Sequence, residues 1–162
     1  MNDSLELAQG ACTCGQIRFQ LNQAPLFVHC CHCTWCQRES GSAFALNALI
    51  ETAEVQLLAG EPEAVMLPSN SGKGQKVMHC PRCKTSVWSH FIGAGEALTF
   101  VRVGCLNQPQ RFAPDIHIFT ESKLPWVLLP EGVPAVAQYY QTSKLWPAAS
   151  LARRAKLLAA KP

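Results

Sequence analysis

The stretch Cys31-His32-Cys33-Thr34-Trp35-Cys36 decides how the rest of the chain is read. Its three thiols are spaced C-x-C-x-x-C. On an extended segment, period-two alternation turns Cys31 and Cys33 toward one side. A bend through Thr34 and Trp35 then brings Cys36 to the same point. By the same alternation His32 faces away, and Cys30 points toward the core. Three soft donors converge with no obvious local fourth. A closed structural zinc site takes four protein ligands, whereas a catalytic one keeps a position open for water or substrate.

The remaining cysteines supply a complete set of four. Cys12-Thr13-Cys14 and Cys80-Pro81-Arg82-Cys83 bring a C-x-C and a C-x-x-C pair from distant parts of the chain. Four thiolates suit tetrahedral zinc at about 2.3 Å. Their surplus negative charge has Arg18, Lys76, Arg82 and Lys84 nearby in sequence to offset it. The expectation is two zinc ions per chain: a structural one on Cys12, Cys14, Cys80 and Cys83, and a catalytic one on Cys31, Cys33 and Cys36. The competing reading is a set of reduced, merely buried cysteines. Cys30 and Cys105 are left over, each an apolar core thiol or a fourth ligand that closes the open site. His29, His79, His90 and His117 read as structural histidines.

Composition agrees with metal rather than disulfides. Nine cysteines in 162 residues is an odd number, and the first ten residues carry Asp3 and Glu6 with no basic or apolar run. That start is not read as an export signal, so clustered thiols point to metal in a reducing, cytoplasmic compartment. No apolar run approaches the ~20 residues that span a bilayer. The formal charge of +3 and the lack of an aromatic-basic stripe argue against nucleic acid.

Along the chain, short strand signals alternate with Gly and Pro turns. Gly10 to Gly15 reads as a turn, Gln16 to Leu21 as a strand, and Leu26 to Cys30 as a buried strand delivering the three thiols. Gln37 to Ser42 reads as a helical turn ending near Gly41, and Phe44 to Ile50 as a third strand. Glu54–Leu58, Ala64–Leu67, Gln75–Met78, Ser86–Phe91, Leu98–Val103 and Ile116–Ile118 follow as further strands, with Cys80 to Cys83 as a knuckle between two of them. The fold class is mainly β with short helical turns. Residues 1–140 form the zinc-binding domain and 141–162 a helical tail. Pro147 opens that helix, and Leu151, Ala155 and Leu158 share one face. Its Arg153, Arg154 and Lys156 read as a solvated face, or alternatively as a basic surface for RNA or membrane.

A zinc on three thiolates is a weaker Lewis acid than one on three histidines, but it stays thiophilic. It suits binding an incoming thiol as thiolate or polarising a small carbonyl oxygen beside one. That chemistry is addition of a thiol to an aldehyde, or the reverse.

The sequence also resembles the glutathione-dependent formaldehyde-activating enzyme family, whose domain is shared with centromere protein V. The motifs carrying this are G-A-C-T-C-G-Q-I-R-F, C-H-C-T-W-C-Q-R-E-S-G-S-A-F, H-C-P-R-C-K-T, V-G-C-L-N-Q-P and H-I-F-T-E-S-K-L-P-W, in order over about residues 8 to 135. The resemblance implies a β-tent fold with two zinc sites and the same division of the seven cysteines. It also implies carbon–sulfur lyase activity, joining glutathione and formaldehyde into S-(hydroxymethyl)glutathione. Cys30, beside the open site, and Cys105, where such sequences often have serine, depart from the pattern. Arg38, Lys123 and Arg102 are candidates for the carboxylates of glutathione, and His117 and Glu121 for moving a proton. Two other readings are a non-catalytic zinc or thiol-carrier module and a thiol redox enzyme using Cys30 or Cys105.

Overall fold

The computed structural model describes residues 7–93 and 95–159. Met1 to Glu6, where most of the expected non-signal start falls, and the last three residues of the tail lie outside the described residues.

The fold is mainly β, in two sheets. Strands β1 (Ala8–Ala11), β2 (Arg18–Leu21) and β5 (Val55–Ala59) form a small antiparallel sheet in the order β1-β2-β5. The larger sheet contains β3 (Phe27–Cys31), β4 (Ala45–Glu51), β6 (Glu63–Leu67), β7 (Gln75–His79), β8 (Ser86–Phe91), β9 (Leu98–Arg102) and β10 (Ile116–Ile118). Its order is β10-β3-β4-β9-β8-β7-β6, with β10 parallel to β3 and every other pair antiparallel. Helix α1 (Thr34–Ser40) leaves the end of β3. The short α2 (Thr142–Leu145) and the longer α3 (Ala148–Ala159) close the described chain.

Alternation along the central strands divides the core between the two faces of the large sheet. Val28, Ala48, Ile50 and Val101 join Ile17 and, from the small sheet, Phe19 and Leu21 in one buried cluster. Phe27, Leu49, Phe100 and Ile118 join the other, which also receives Trp146 and Leu151 from the C-terminal segment. Cys12 and Cys80 belong to the first cluster, and Cys31, Cys33 and Cys36 to the second. The two thiol sets are therefore separated by the central strands. Phe19, fully buried and edge-on to Trp88 at 5.3 Å, is worth about 1.5–3 kcal/mol through burial alone.

Gly10 and helix α3 depart from the expected pattern. Gly10 opens no turn; it lies within β1, opposite Phe19. A β-carbon on Gly10 would fall 2.5 Å from the Phe19 ring and 2.7 Å from the Cys105 carbonyl, so the glycine serves close packing and not bending. Helix α3 does follow Pro147, but Ala155 and Leu158 are exposed while Ser150 is buried. The helix is turned by Arg153, whose Nε donates to Glu51 at 2.9 Å and whose Nη1 donates to the Ala24 carbonyl at 2.8 Å. Arg153 thus spends its charge inside the fold and is not part of a wholly solvated face.

Candidate metal centres

The four-cysteine set assembles where the two sheets meet. Cys12 and Cys14 follow β1, and Cys80 and Cys83 occupy the turn from β7 to β8. In that turn Lys84 N–H donates to the Cys80 carbonyl and Cys80 N–H to the Thr85 carbonyl, both at 3.0 Å. Lys84 takes a left-handed conformation, φ 60°, which turns the chain back so that the Thr85 carbonyl meets the Cys80 N–H. A hydroxyl contact, Thr13 to Thr85 at 2.9 Å, fastens the two halves.

The four sulfurs lie within 4.8 Å of one another. Cys12 to Cys14 is 3.6 Å and Cys14 to Cys80 is 3.7 Å. Zinc–sulfur bonds of ~2.3 Å at tetrahedral angles require sulfurs about 3.8 Å apart, so the donor set fits zinc. The separations are far too long for a disulfide of ~2.05 Å. Amide donors also point at the sulfurs, with Ile17 N–H reaching Cys12 Sγ at 3.3 Å. The Thr85 hydroxyl, 3.1 Å away, and then its N–H bring the Cys83 thiol down to about 5.

The three-cysteine set forms where β3 becomes α1. Cys31 ends the strand, and Cys33 is the helix N-cap, its Sγ accepting from Cys36 N–H at 3.4 Å. Cys36 is the buried residue of the helix. The helix stops at Gly41, which is left-handed at φ 62° and donates to the Gln37 carbonyl. The expected turn at 37–42 is thus a longer helix that starts at Thr34. All three sulfurs lie within 4.8 Å of one another. Among the described residues no further His, Cys, Asp or Glu donor joins them within that distance.

Proton sharing in the cluster is uneven. The hydrogen bond from Cys31 and then that from Cys36 pull Cys33 down to about 3, while Cys31, hydrogen-bonded to Cys33 and buried, is pushed far up. Cys31 also favours the thiolate of Cys36, but the Cys33 contact and burial outweigh it and hold Cys36 up at about 12. Three sulfurs within 4.8 Å of one another can share one dication as thiolates, so this donor set also fits zinc.

These thiols line a cavity of about 510 Å³. Trp35, Phe91, Phe100, Phe119 and Tyr139 give it aromatic walls, and Ser69, Asn70 and Ser71 contribute a polar loop. His29 shares the wall; burial lowers its pKa to about 4, which keeps it neutral at pH 7. Its Nε2 lies 2.6 Å from the Tyr140 hydroxyl, which accepts from Trp146 Nε1 at 2.7 Å. The sequence reading missed His29, Tyr139 and the Ser69–Ser71 loop as cavity residues, because tertiary pairing alone brings them there. Tyr139 is delivered by residues 134–138 running beside β10, where Val136 N–H donates to the His117 carbonyl at 2.9 Å.

The other candidates fall elsewhere. Arg102 sits behind the thiols, donating from Nη2 to Glu39 at 2.7 Å and from Nη1 to Asn47. Its charge, though last among the influences on Cys36, favours that thiolate. Lys123 donates to the Leu124 and Val127 carbonyls, Arg38 is exposed, and neither lines the cavity. His117 packs against His32 on the far side of β3, and Glu121 is exposed beside Gln138. Cys30 is buried with those histidines, and Cys105 donates to the Ser86 carbonyl at 3.4 Å.

Fold and sites together define a class: a mainly β protein with a four-thiol knuckle and a separate three-thiol cluster opening on an apolar cavity. The family model described as glutathione-dependent formaldehyde-activating enzyme matches residues 7–122. The chain belongs to that family. A crystal structure of a Rhodobacter sphaeroides protein is similar at 18% identity and a TM-score of 0.47, covering 61% of this chain and 87% of that one. No curated protein matches the chain in sequence. No helix among the described residues is long and apolar enough to cross a membrane.

Proposed function

We propose that the chain is a zinc-dependent carbon–sulfur lyase that adds a thiol such as glutathione to formaldehyde or a related small aldehyde, or runs the reverse. Zinc on Cys12, Cys14, Cys80 and Cys83 has the structural role, and zinc on Cys31, Cys33 and Cys36 the catalytic one. The observation that carries this reading is the three-thiol set in the wall of an apolar cavity with no fourth protein donor among the described residues.

Zinc bound there would supply a thiophilic Lewis acid, favouring the thiolate of the incoming thiol and polarising an aldehyde oxygen. The chain supplies the rest. Cys31, Cys33 and Cys36 hold the ion, and the Cys36 N–H fixes the Cys33 sulfur. The aromatic walls exclude water and confine both reactants, raising their effective concentration. Ser69, Asn70 and Ser71 offer hydroxyl and amide groups to the polar body of the thiol. No cationic side chain lines the cavity among the described residues, so the carboxylates of a glutathione-like substrate stay at the solvent-facing mouth. His29, neutral and hydrogen-bonded to Tyr140, provides a polar point on the wall without adding charge.

Burial pushes the Cys105 thiol up to about 11 and the Cys30 thiol up to about 12. Neither offers the low-pKa thiolate that the redox alternative needs. The reading carries a cytoplasmic location, where the thiols stay reduced.

The test is thiol-dependent consumption of formaldehyde, followed against the spontaneous reaction in the zinc-loaded protein and in Cys36→Ser. Catalysis should vanish in Cys36→Ser with one zinc equivalent lost and one retained. Full catalysis in a variant holding a single equivalent rules the reading out.

A further inference from the structure

A third donor set lies on the opposite face of β3 from the cavity. Cys30 Sγ, His32 and His117 offer ligand atoms within 4.8 Å of one another, and all three residues are buried. The register explains the convergence. His117 of β10 pairs laterally with Cys30 of β3, and His32 follows two residues on, so all three project from one face. Cys30 Sγ lies 3.6 Å from His32 Nε2, which lies 2.9 Å from His117 Nδ1. Neither proposed zinc site uses any of these residues.

We propose that Cys30, His32 and His117 form a closed three-coordinate site for monovalent copper. One thiolate and two neutral imidazoles balance a single positive charge, whereas a divalent ion would leave a net charge buried in the core, which is costly. The Lys123 ammonium, whose charge acts on His32, opposes a second positive charge further. Among the described residues no other His, Cys, Asp or Glu completes the set within the same distance, and structural zinc is almost always four-coordinate. Thiolate favours soft Cu(I), and imidazole suits copper.

Occupancy exchanges one arrangement for another. The Cys30 thiol gives up its proton to solvent as the Cu–S bond forms, with no change in oxidation state. The ring nitrogens of His32 and His117 part from hydrogen-bond distance by about half an ångström to reach bond lengths near 2 Å. Rotation of the rings about their soft terminal torsions supplies that movement. His32 Nδ1 and His117 Nε2 have no hydrogen-bond partner among the described residues. The one proton held between His32 Nε2 and His117 Nδ1 moves to the other nitrogen of its own ring, a tautomer that no carboxylate or carbonyl opposes, and both facing nitrogens then present lone pairs to the metal.

The experiment is anaerobic titration of the zinc-loaded protein with Cu(I), held against a copper-selective chelator, with copper and zinc both quantified. The site predicts one copper retained per chain with no zinc released. His117→Gln and Cys30→Ser should retain at least tenfold less copper with zinc content unchanged. A measurement needing no variant accompanies it: copper-edge X-ray absorption of the wild type should carry the multiple-scattering signature of imidazole, which neither all-thiolate cluster can give. No retained copper, zinc released in step with copper bound, or an all-sulfur copper spectrum would each overturn the proposal. None of these outcomes bears on the lyase reading, which is tested by turnover at the other face.

Discussion

The Cys36 backbone N–H donates to the Cys33 sulfur at 3.4 Å, so one thiol both caps a helix and belongs to the three-sulfur cluster. The two roles separate by substitution. Serine is a good N-cap but a poor soft ligand, so Cys33→Ser should keep α1 and lose the metal. Cys33→Ala should lose the metal and a further ~1 kcal/mol of stability with the cap. Metal content and urea midpoints measured side by side check this. Equal stability of the two variants would mean the cap contributes nothing.

The four-cysteine set should behave differently, because it joins β1 to the β7–β8 turn across the chain. Apparent binding energies of ~10–16 kcal/mol in zinc-finger peptides become folding energy where the apo site is disordered. Cys80→Ser or Cys12→Ser should yield insoluble or unfolded chain, and a strong chelator should collapse the wild-type thermal transition. A Cys80→Ser protein with native melting behaviour and undiminished zinc would remove this set from the fold's support.

The sequence announces both thiol sets more plainly than it does the elements around them. C-x-C and C-x-x-C spacings are local, so the seven thiols divide four and three before any fold is known. The strand from Gln75 and the one at Ser86–Phe91 were equally legible, because alternation and the knuckle between them agree. β1 was not, since its third residue is Gly10, whose reason for being there is the Phe19 ring across the sheet. Nor was the cavity: Tyr139 reaches it by pairing of residues 134–138 beside β10, a contact that no periodicity encodes. Nor was the face of α3, whose rotation is set by the partly buried Arg153–Glu51 ion pair and not by apolar spacing.

Behind the thiols, Glu39 and Arg102 form an ion pair whose side chains are only 7% and 11% exposed. The Ser86 hydroxyl donates to Glu39 at 2.9 Å, and Asn47 accepts from Arg102. Removing one partner strands the other charge. Glu39→Gln should therefore destabilise the protein by about 3 kcal/mol or more, with Glu39→Gln/Arg102→Met recovering part of the loss. Denaturant unfolding of the two variants decides it. A Glu39→Gln variant as stable as wild type would mean water already reaches the pair.

One phenol links the C-terminal segment to the cavity wall. Tyr140 accepts from Trp146 Nε1 at 2.7 Å and lies 2.6 Å from His29 Nε2, while Trp146 stacks on Phe27 at 5.6 Å. Tyr140→Phe keeps the ring but leaves the indole N–H without its acceptor and His29 without its partner. A buried polar group so abandoned costs about 1–3 kcal/mol, which in a domain of this size lowers the melting temperature by several degrees. His29 and neighbouring Tyr139 line the cavity, so the same substitution should raise KM for the thiol more than it lowers kcat. The expected sign is loosened binding with the zinc content intact. Unchanged KM together with a lowered melting temperature would confine Tyr140 to anchoring the tail.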